Sequence, residues 1–303
     1  MTLTQLRYVI EVANSSSMNE AARNLFISQP SLSSSVKDLE EEVGVELFKR
    51  TNRGISMTPE GEEFIGYARQ VVEQYQLIEA RFISKEQVRK KFSVSMQHYS
   101  FAVNAFVEMV KQFGMDEYEF AIHETKTYEV IEDVRNFRSE IGILYINDFN
   151  RKVLTKLFHE SGLEFHEILE CGIYVYMWKG HPLADSELLT LEQLADYPCL
   201  SFEQGNYNSF YFAEEVLSTY DYKQFIKAND RATMHNLMVG LNGYTLCSGI
   251  LCEKLNGSEF CAVKLKSDEK MTIGYLVRKG VAISPLGKKY LEEIVKFEDK
   301  GLV

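Results

Sequence analysis

Features of disulfide-rich, zinc-binding and membrane-spanning proteins are scarce in this sequence. The 303 residues include five cysteines, an odd number without a C-x-x-C pair, which excludes a disulfide-stapled scaffold and a zinc ribbon. No stretch approaches the roughly 18 consecutive apolar residues of a transmembrane helix. No long apolar segment of the kind found in secretory signals follows Met1. We therefore expect a reduced, cytoplasmic protein.

Signatures of catalysis are also missing. The sequence has no G-x-S-x-G elbow, P-loop or dinucleotide-binding fingerprint, and its six histidines include no pair at a recognisable zinc spacing. The composition, with 45% hydrophobic and 25% charged residues, is ordinary for a globular protein. We predict that the protein is not an enzyme and that it uses no metal or cofactor.

The sequence has fewer basic than acidic side chains, 33 compared with 44, and a net charge of −11. The imbalance is uneven along the chain. Residues 1–90 carry 11 basic and 13 acidic side chains, whereas residues 91–303 carry 22 and 31. Any contact with DNA must therefore come from a small local surface near the N-terminus.

Residues 3–58 show the spacing of a small helical domain. Apolar residues recur at helical intervals in three segments, and those of the third segment are Leu32, Val36, Leu39 and Val43. Ser28 suits the N-cap of this third helix, Pro30 its first turn and Gly44 its C-terminal end.

The leading half of the third helix has an exposed face without carboxylates. Its side chains are Gln29, Ser31, Ser33, Ser34 and Lys37. Such a helix end can enter the major groove of DNA, with its free N–H groups near phosphate. The following segment, 47–58, is predicted to form a two-stranded wing with Arg50 and Arg53 at its tip. From spacing alone, a three-helix packing unit with a solvated serine face explains the pattern equally well.

A longer set of residues separates these two interpretations. It comprises Ala21, Ala22, Leu25, residues 28–33, Leu39, Glu40, Gly44, Val45, Leu47, Phe48, Arg50, Thr58 and Gly61. Without a gap over about 60 residues, this segment closely resembles the N-terminal signature of LysR-type transcriptional regulators. The resemblance favours the helix-turn-helix.

The resemblance implies a winged helix-turn-helix that binds a pseudo-palindromic operator as a dimer, and further assembly into a tetramer. The residues expected to contact DNA are Ser28, Gln29, Pro30, Ser31, Ser33, Ser34, Lys37, Arg50 and Arg53. Ser34 and Ser35 depart from the family, because many members have a long basic or amide side chain there. A serine cannot make the bidentate contact with guanine that arginine makes, so the base preference at this step should not be copied from relatives.

A long helix is predicted after the wing. Thr58 suits its N-cap and Pro59 its first turn. Apolar residues then follow at intervals of 4, 3, 4, 3 and 4, namely Phe64, Ala68, Val71, Tyr75, Ile78 and Phe82. This heptad seam over residues 59–86 favours a coiled coil that holds two recognition helices at a fixed separation. A single amphipathic helix lying on its own domain is the alternative.

From Phe92 onward, short apolar strands alternate with helices. Strands are predicted at 92–96, 118–122, 141–145, 163–169, 172–178, 199–202 and 272–277, and helices at 103–113, 128–137, 191–195 and 287–297. The β-α-β-α-β series over residues 92–145 predicts a largely parallel sheet with helices on both faces. The LysR resemblance implies a C-terminal two-lobed α/β domain like the type 2 periplasmic binding proteins, with a ligand in the cleft.

These patterns and the resemblance together divide the chain into three parts. We expect a winged helix-turn-helix over 1–58, a linker helix over 59–88 and an effector-binding domain over 91–303, with lobe I at 91–161 and 268–303 and lobe II at 162–267. In an open α/β sheet the ligand lies at the carboxyl ends of the strands. Hydroxyls and free helical N–H groups there suit a small anionic or zwitterionic metabolite. The expected contacts are Gln97, His98, Ser100, Thr125, Thr127, Phe202, Gln204 and Ser248.

The function predicted by this combination is that of a ligand-responsive, DNA-binding transcriptional regulator. Its expected partners are double-stranded DNA, a second copy of the chain and a small-molecule effector, with RNA polymerase as a further candidate. Two alternatives stay open. One is a cytoplasmic solute-binding or enzymatic protein of the same two-lobed fold, and the other is a regulator that senses redox state through a cysteine thiol.

Overall fold

The computed structural model of the chain describes residues 1–51, 54–79, 90–112, 117–252, 255 and 257–297. The chain separates into two compact units, Met1–Lys90 and Lys91–Val303, and each has a hydrophobic core of its own. Among the described residues, no helix combines the length and the apolar composition needed to cross a membrane.

The smaller unit consists of helices and one β-hairpin. Its elements are α1 (Leu3–Asn14), α2 (Met18–Asn24), α3 (Gln29–Val43), β1 (Phe48–Thr51), β2 (Gly54–Met57) and α4 (Pro59–Glu79). The two strands pair antiparallel. This order confirms the predicted helix-turn-helix followed by a wing and a long helix.

Side chains at the helix ends explain where α3 and α4 begin. The Oγ atom of Ser28 accepts a hydrogen bond from the N–H of Ser31 at 3.2 Å, which makes Ser28 the N-cap of α3, as predicted. Gly44 then ends α3 in the left-handed conformation, with a φ of 77°, which glycine adopts at little cost. At the start of α4, the Oγ1 atom of Thr58 accepts a hydrogen bond from the N–H of Gly61 at 2.8 Å.

Part of the predicted seam of α4 is buried inside its own unit. Ala68 is buried and Phe64 is half-buried, and both pack in a cluster with residues of α1. Ala68 is therefore unavailable as a dimer contact, because this face of α4 supports the helix-turn-helix. Val71 and Ile78 are exposed, whereas Phe82 lies outside the described residues.

The larger unit is a two-lobed α/β structure. Its strands are β3 (Lys90–Met96), β4 (Tyr118–Glu124), β5 (Ile141–Ile146), β6 (Leu163–Cys171), β7 (Tyr174–Trp178), β8 (Leu188–Leu189), β9 (Cys199–Phe202), β10 (Phe225–Ala228), β11 (Thr245–Cys247), β12 (Phe260–Leu265) and β13 (Met271–Arg278). Its helices are α5 (Ser100–Lys111), α6 (Thr127–Arg135), α7 (Arg151–Glu160), α8 (Leu191–Leu194), α9 (Arg231–Leu241) and α10 (Pro285–Val295).

The first lobe is built on a five-stranded sheet in the order β4-β3-β5-β13-β6. Strands β3 and β5 are parallel, whereas β13 runs antiparallel to both β5 and β6. The parallel arrangement predicted from residues 92–145 is thus confirmed for β3 and β5, and the sheet departs from it at β13. The reason is that β13 returns from the second lobe and enters the sheet in the opposite direction.

The second lobe contains a four-stranded sheet in the order β11-β7-β12-β8 and a separate parallel pair, β9 and β10. A bridge between Cys199 and Tyr244 joins the pair to the chain just before β11. The carboxyl ends of β9 and β11 both lead into loops that line the cleft described below.

The predicted boundary between the lobes, at residues 161 and 162, is wrong by one strand. Strand β6 pairs with β13 along its whole length, from Leu163 opposite Arg278 to Cys171 opposite Met271, so it belongs to the first lobe. The chain crosses to the second lobe between β6 and β7 and returns between β12 and β13.

Candidate DNA interface and effector cleft

The leading half of α3 presents a polar surface on one side and core residues on the other. Ser31, Ser34 and Lys37 are exposed, whereas Leu32 and Val36 are buried in the core of the unit. This arrangement follows from helical periodicity, which places residues three and four apart on the same face. The predicted recognition surface is therefore accessible within its own unit.

Hydrogen bonds order the side chains of this surface. Gln29 Nε2 donates to Ser33 Oγ at 2.6 Å, and the two residues are half-buried. Ser28 Oγ and Ser31 Oγ lie 2.7 Å apart. Pro30 is exposed in the first turn. The structure thus brings these five predicted DNA contacts onto one short surface.

The other predicted DNA contacts are more distant along the chain. Lys37 Nζ lies 3.3 Å from Glu41 Oε1, with both side chains exposed, so this ion pair is weak and easily exchanged for phosphate. The backbone of Arg50 lies in β1 opposite Ile55. The side chain of Arg50 and the whole of Arg53 lie outside the described residues.

One feature next to this surface was missed in the sequence. Phe26, in the turn between α2 and α3, is 96% exposed and has a φ of 55°. A non-glycine residue in the left-handed region costs about 1–3 kcal/mol. The signal in the sequence was a bulky aromatic residue inside a tight turn, and Phe26 is a further candidate for contact with DNA.

The predicted effector contacts fall into separate groups in the larger unit. Four of them line one cavity between the lobes, namely His98, Ser100, Phe202 and Ser248. Three others are joined by hydrogen bonds, namely Gln97, Thr127 and Gln204. Thr125 is half-buried, and its hydroxyl donates a hydrogen bond to Glu129.

The hydrogen-bonded group runs from the first lobe to the second. Gln97 Nε2 donates to Thr127 Oγ1 at 2.6 Å, and the N–H of Thr127 donates to Gln204 Oε1 at 3.0 Å. Gln204 Nε2 in turn donates to Glu214 Oε1 at 3.0 Å. Thr127 is the first residue of α6, so the side chain of Gln204 binds a helix N–H that could otherwise receive the anionic group of a ligand.

The segment 203–222, which we call the strap, leaves the second lobe after β9 and contacts the first lobe with aromatic rings. The ring of Tyr207 stacks on that of Tyr128 of α6, with centroids 3.5 Å apart. The ring of Tyr211 stacks on that of Phe149, in the loop between β5 and α7, with centroids 4.8 Å apart. The strap therefore joins the two lobes across the cleft.

Glu214 of the strap binds the loop after β3. Its Oε2 atom accepts a hydrogen bond from the N–H of His98 at 3.0 Å and lies 2.8 Å from His98 Nδ1. The imidazole ring of His98 stacks on Phe202, with centroids 3.6 Å apart and ring planes 4° apart. Glu214 was missed in the sequence, where the signal was a pair of adjacent glutamates within an aromatic-rich segment.

Glu215 holds the strap to the second lobe. It accepts hydrogen bonds from Ser201 Oγ at 2.6 Å and from the N–H of Phe202 at 3.0 Å. Burial, followed by the nearby charge of Glu214, raises the pKa of Glu215 to about 8. Glu215 is therefore mostly a neutral carboxylic acid at pH 7.

A cavity that is open to solvent on one side lies behind the strap. Apolar side chains form much of its wall, including Phe101, Tyr176, Met234, Met238, Leu246, Ile250 and Leu251. Glu214, Glu215 and Arg231 also line it, and Arg231 forms an ion pair with Glu124 across the lobes.

The surroundings of the cysteine thiols bear on the thiol-sensing alternative. Burial raises the pKa of the thiols of Cys171, Cys199 and Cys247 to about 12 each, which keeps them protonated at pH 7, whereas the thiolate is the reactive form. Among the described residues, no three His, Cys, Asp or Glu side chains are close enough to hold a metal ion.

Both units match known protein families. The model described as "Bacterial regulatory helix-turn-helix protein, lysR family" matches residues 3–62, and the model of the LysR substrate binding domain matches residues 97–297. The chain belongs to the LysR family. This LysR-family protein is a DNA-binding transcriptional regulator with an effector-binding domain.

Curated relatives agree with this assignment. The HTH-type transcriptional regulator AlsR of Bacillus subtilis (strain 168) is 27% identical over 252 residues, which cover 80% of this chain and 77% of the relative. The DNA-binding transcriptional dual regulator OxyR of Escherichia coli (strain K12) is 22% identical over 300 residues, covering 96% and 92%. The two family descriptions thus combine a regulatory helix-turn-helix protein with a substrate binding domain in one chain.

The fold of this LysR-family regulator is also that of a solved relative. A variant of full-length OxyR from Pseudomonas aeruginosa superposes with a TM-score of 0.61 at 20% identity, covering 98% of this chain and 94% of that one. At this identity the likeness concerns the fold alone. It supports the two-lobed α/β architecture with a helical N-terminal unit.

Proposed function

We propose that the regulator binds a pseudo-palindromic operator as a dimer, with the leading half of one α3 from each protomer in the major groove. The observation that carries this proposal is the exposed, carboxylate-free face of α3 around Ser31 and Ser34. The acidic residues of α3 lie toward its other end, from Asp38 to Glu42. Charge therefore favours approach of phosphate to the N-terminal half alone.

Gln29 is the residue best suited to read a base. Its hydrogen bond to Ser33 uses one of two hydrogens on Nε2. The second hydrogen and the Oε1 atom are the groups with which glutamine binds N7 and N6 of adenine. Gln29 can keep the bond to Ser33, and that bond fixes the amide before DNA arrives, which lowers the entropy cost of binding.

Replacing this amide tests the proposal. We expect Gln29→Ala to weaken binding to the operator upstream of the regulator's own gene by about 1–3 kcal/mol, or about 5- to 150-fold. Binding to an unrelated duplex will be unchanged, because phosphate contacts are retained. The measurement is a fluorescence anisotropy titration of both duplexes at one salt concentration.

A change of the contacted A·T pair in the operator serves as the control. It will weaken operator binding by the wild type but will not further weaken operator binding by Gln29→Ala. An equal loss on both duplexes would show that Gln29 has no part in base recognition.

The dimer that we propose uses the exposed side of α4. Val71 and Ile78 are 49% and 57% exposed and lie one heptad apart, which places them on the same side of the helix. We propose residues 59–88 as the dimerisation segment, between a DNA-binding domain at 1–58 and an effector domain at 91–303. We further propose that the dimers assemble into a tetramer and that the regulator contacts RNA polymerase at the bound promoter. It would act in the cytoplasm, where bacterial DNA lies.

The effector site that we propose is the cavity behind the strap. A small molecule there touches both lobes, since His98 and Ser100 come from the first lobe and Phe202 and Ser248 from the second. Such a ligand changes DNA binding only if its affinity differs between two arrangements of the lobes. The strap supplies these arrangements, because its stacking and hydrogen bonds hold the lobes together and must break for them to separate.

A further inference from the structure

The cavity that we propose as the effector site, on which this inference rests, has a charge pattern that selects among ligands. Glu214 and the mostly neutral Glu215 both line it and are 7% exposed each. Among the described residues of its wall, Arg231 is the permanent cation, and its guanidinium is engaged by Glu124. Burial and the neighbouring Arg231 lower the pKa of His235, so this imidazole is mostly neutral at pH 7.

The groups that would receive an anion are already in use. The N–H of Thr127 at the start of α6 donates to Gln204, and the N–H of His98 donates to Glu214. A carboxylate ligand would have to displace both side chains and would then lie beside the buried Glu214. The expectation of an anionic or zwitterionic metabolite, based on hydroxyls and free helical N–H groups in the loops, does not take these contacts into account.

A cationic group, in contrast, finds an acceptor that still has room for a hydrogen bond. A carboxylate has room for about four hydrogen bonds, and Glu214 accepts three, two involving His98 and one from Gln204. An ammonium group can donate one hydrogen bond to the remaining acceptor position of the Glu214 carboxylate. It can donate others to the hydroxyls of Ser100 and Ser248, which also line the cavity. The rest of the ligand then packs against the apolar wall of the cavity.

We propose that the effector is a primary amine carried on an aromatic or branched aliphatic body. Its ammonium group binds at Glu214, and its body packs among Phe202, Met234 and Met238. Methionine side chains adapt to irregular apolar shapes and make favourable contacts with aromatic rings, which suits a ring-bearing ligand. The amine is recognised by charge-assisted hydrogen bonds, and the body is recognised by burial of apolar surface.

The test uses the full-length protein and three probes of nearly equal shape. These are phenethylamine, 2-phenylethanol and 3-phenylpropionate, which carry positive, zero and negative charge at pH 7. Isothermal titration calorimetry will give phenethylamine the highest affinity, about tenfold or more above 3-phenylpropionate, as expected for a hydrogen bond with a charged group. This ranking needs no variant, so it stands even if a substitution impairs folding.

Two matched variants assign the preference to one carboxylate. Glu214→Gln keeps the shape of the side chain and removes its charge, and we expect it to lose most of the preference for the amine. Glu203→Gln makes the same change on the strap at an exposed position and will bind all three probes like the wild type.

Other outcomes overturn the inference. They are equal or tighter binding of 3-phenylpropionate, an undiminished amine preference in Glu214→Gln, or no saturable binding of phenethylamine up to about 10 mM. Operator binding by the same preparations separates this failure from failure of the proposed function. If the protein binds its operator but not the amine, only the proposed ligand class is refuted. If it does not bind the operator, the proposed function itself is contradicted.

Discussion

Introducing glutamate at Val71 and Ile78 together will convert the proposed dimer to single chains and lower its affinity for a two-half-site operator by about 10²- to 10⁴-fold. The two side chains are 49% and 57% exposed, so the double variant leaves the core of the N-terminal unit intact. In a dimer they are buried, and two pairs of carboxylates would then face an apolar seam without partners.

The size of the effect comes from linkage between the two half-sites. Once one recognition helix is bound, the second is held near its half-site at a high effective concentration, and this advantage is lost when the chains separate. The intrinsic contact of each α3 with its own half-site is unchanged. We therefore expect the affinity of the double variant for an isolated half-site to equal that of the wild type.

Size-exclusion chromatography with light scattering and an anisotropy titration measure the two expected results. The matched control is Val239→Glu in α9, because Val239 is also 49% exposed but lies outside the proposed seam. It should leave operator affinity unaltered. If the double variant elutes as the wild type does and binds the operator equally well, α4 does not hold the dimer together.

Glu215→Gln will remove a pH dependence from the stability of the effector-binding unit. Because the pKa of Glu215 is about 8 in the folded protein, compared with 4.5 as its ordinary value, the folded state keeps a proton that the unfolded state releases. Stability contributed by this group is complete below pH 4.5 and falls as the pH rises toward 8. The amide is an isostere of the protonated acid and does not titrate.

The expected difference is large for a single side chain. Between about pH 6 and about pH 8.5 the wild type should lose about 2–3 kcal/mol relative to Glu215→Gln, since each unit of pKa shift corresponds to about 1.4 kcal/mol. Buried histidines such as His181, whose pKa is lowered by burial, titrate in both proteins and therefore cancel in the comparison.

Scanning calorimetry of the full-length proteins, following the transition of the larger unit, measures this difference. The melting temperature of Glu215→Gln should exceed that of the wild type by more at the higher pH. Glu203→Gln serves as the exposed control and should follow the wild type throughout. Parallel pH profiles for the wild type and Glu215→Gln would mean that Glu215 is already ionised in the folded protein.

Local features of the sequence predicted the N-terminal unit well. The N-cap at Ser28, the proline in the first turn of α3 and the left-handed Gly44 each act over a few residues, so their effects can be read from neighbouring positions. Helix α9 was not predicted, although Asp230 caps it through a hydrogen bond from the N–H of Thr233 at 2.9 Å. Its interior offers only two buried residues, Met234 and Met238, which is a weak periodic signal.

The arrangement of the cleft could not be predicted, because it depends on contacts between distant residues. Gln204 meets the N–H of Thr127 over a separation of 77 residues, and Glu214 meets His98 over 116. Each of these polar groups, taken singly, suits a ligand as well as it suits another side chain. Strand β6 was assigned to the wrong lobe for the same reason, since its partner β13 begins 100 residues after β6 ends, at Met271 opposite Cys171.

Chemical footprinting of the regulator on the DNA upstream of its own gene tests the central claim most directly. If two α3 helices are presented to duplex DNA, methylation protection will show two patches of protected major-groove guanines on one side of the helix. Their centres will be separated by about 10–10.5 base pairs or a multiple of that spacing. Protection of a single patch at saturating protein, or protection confined to the minor groove, would contradict it.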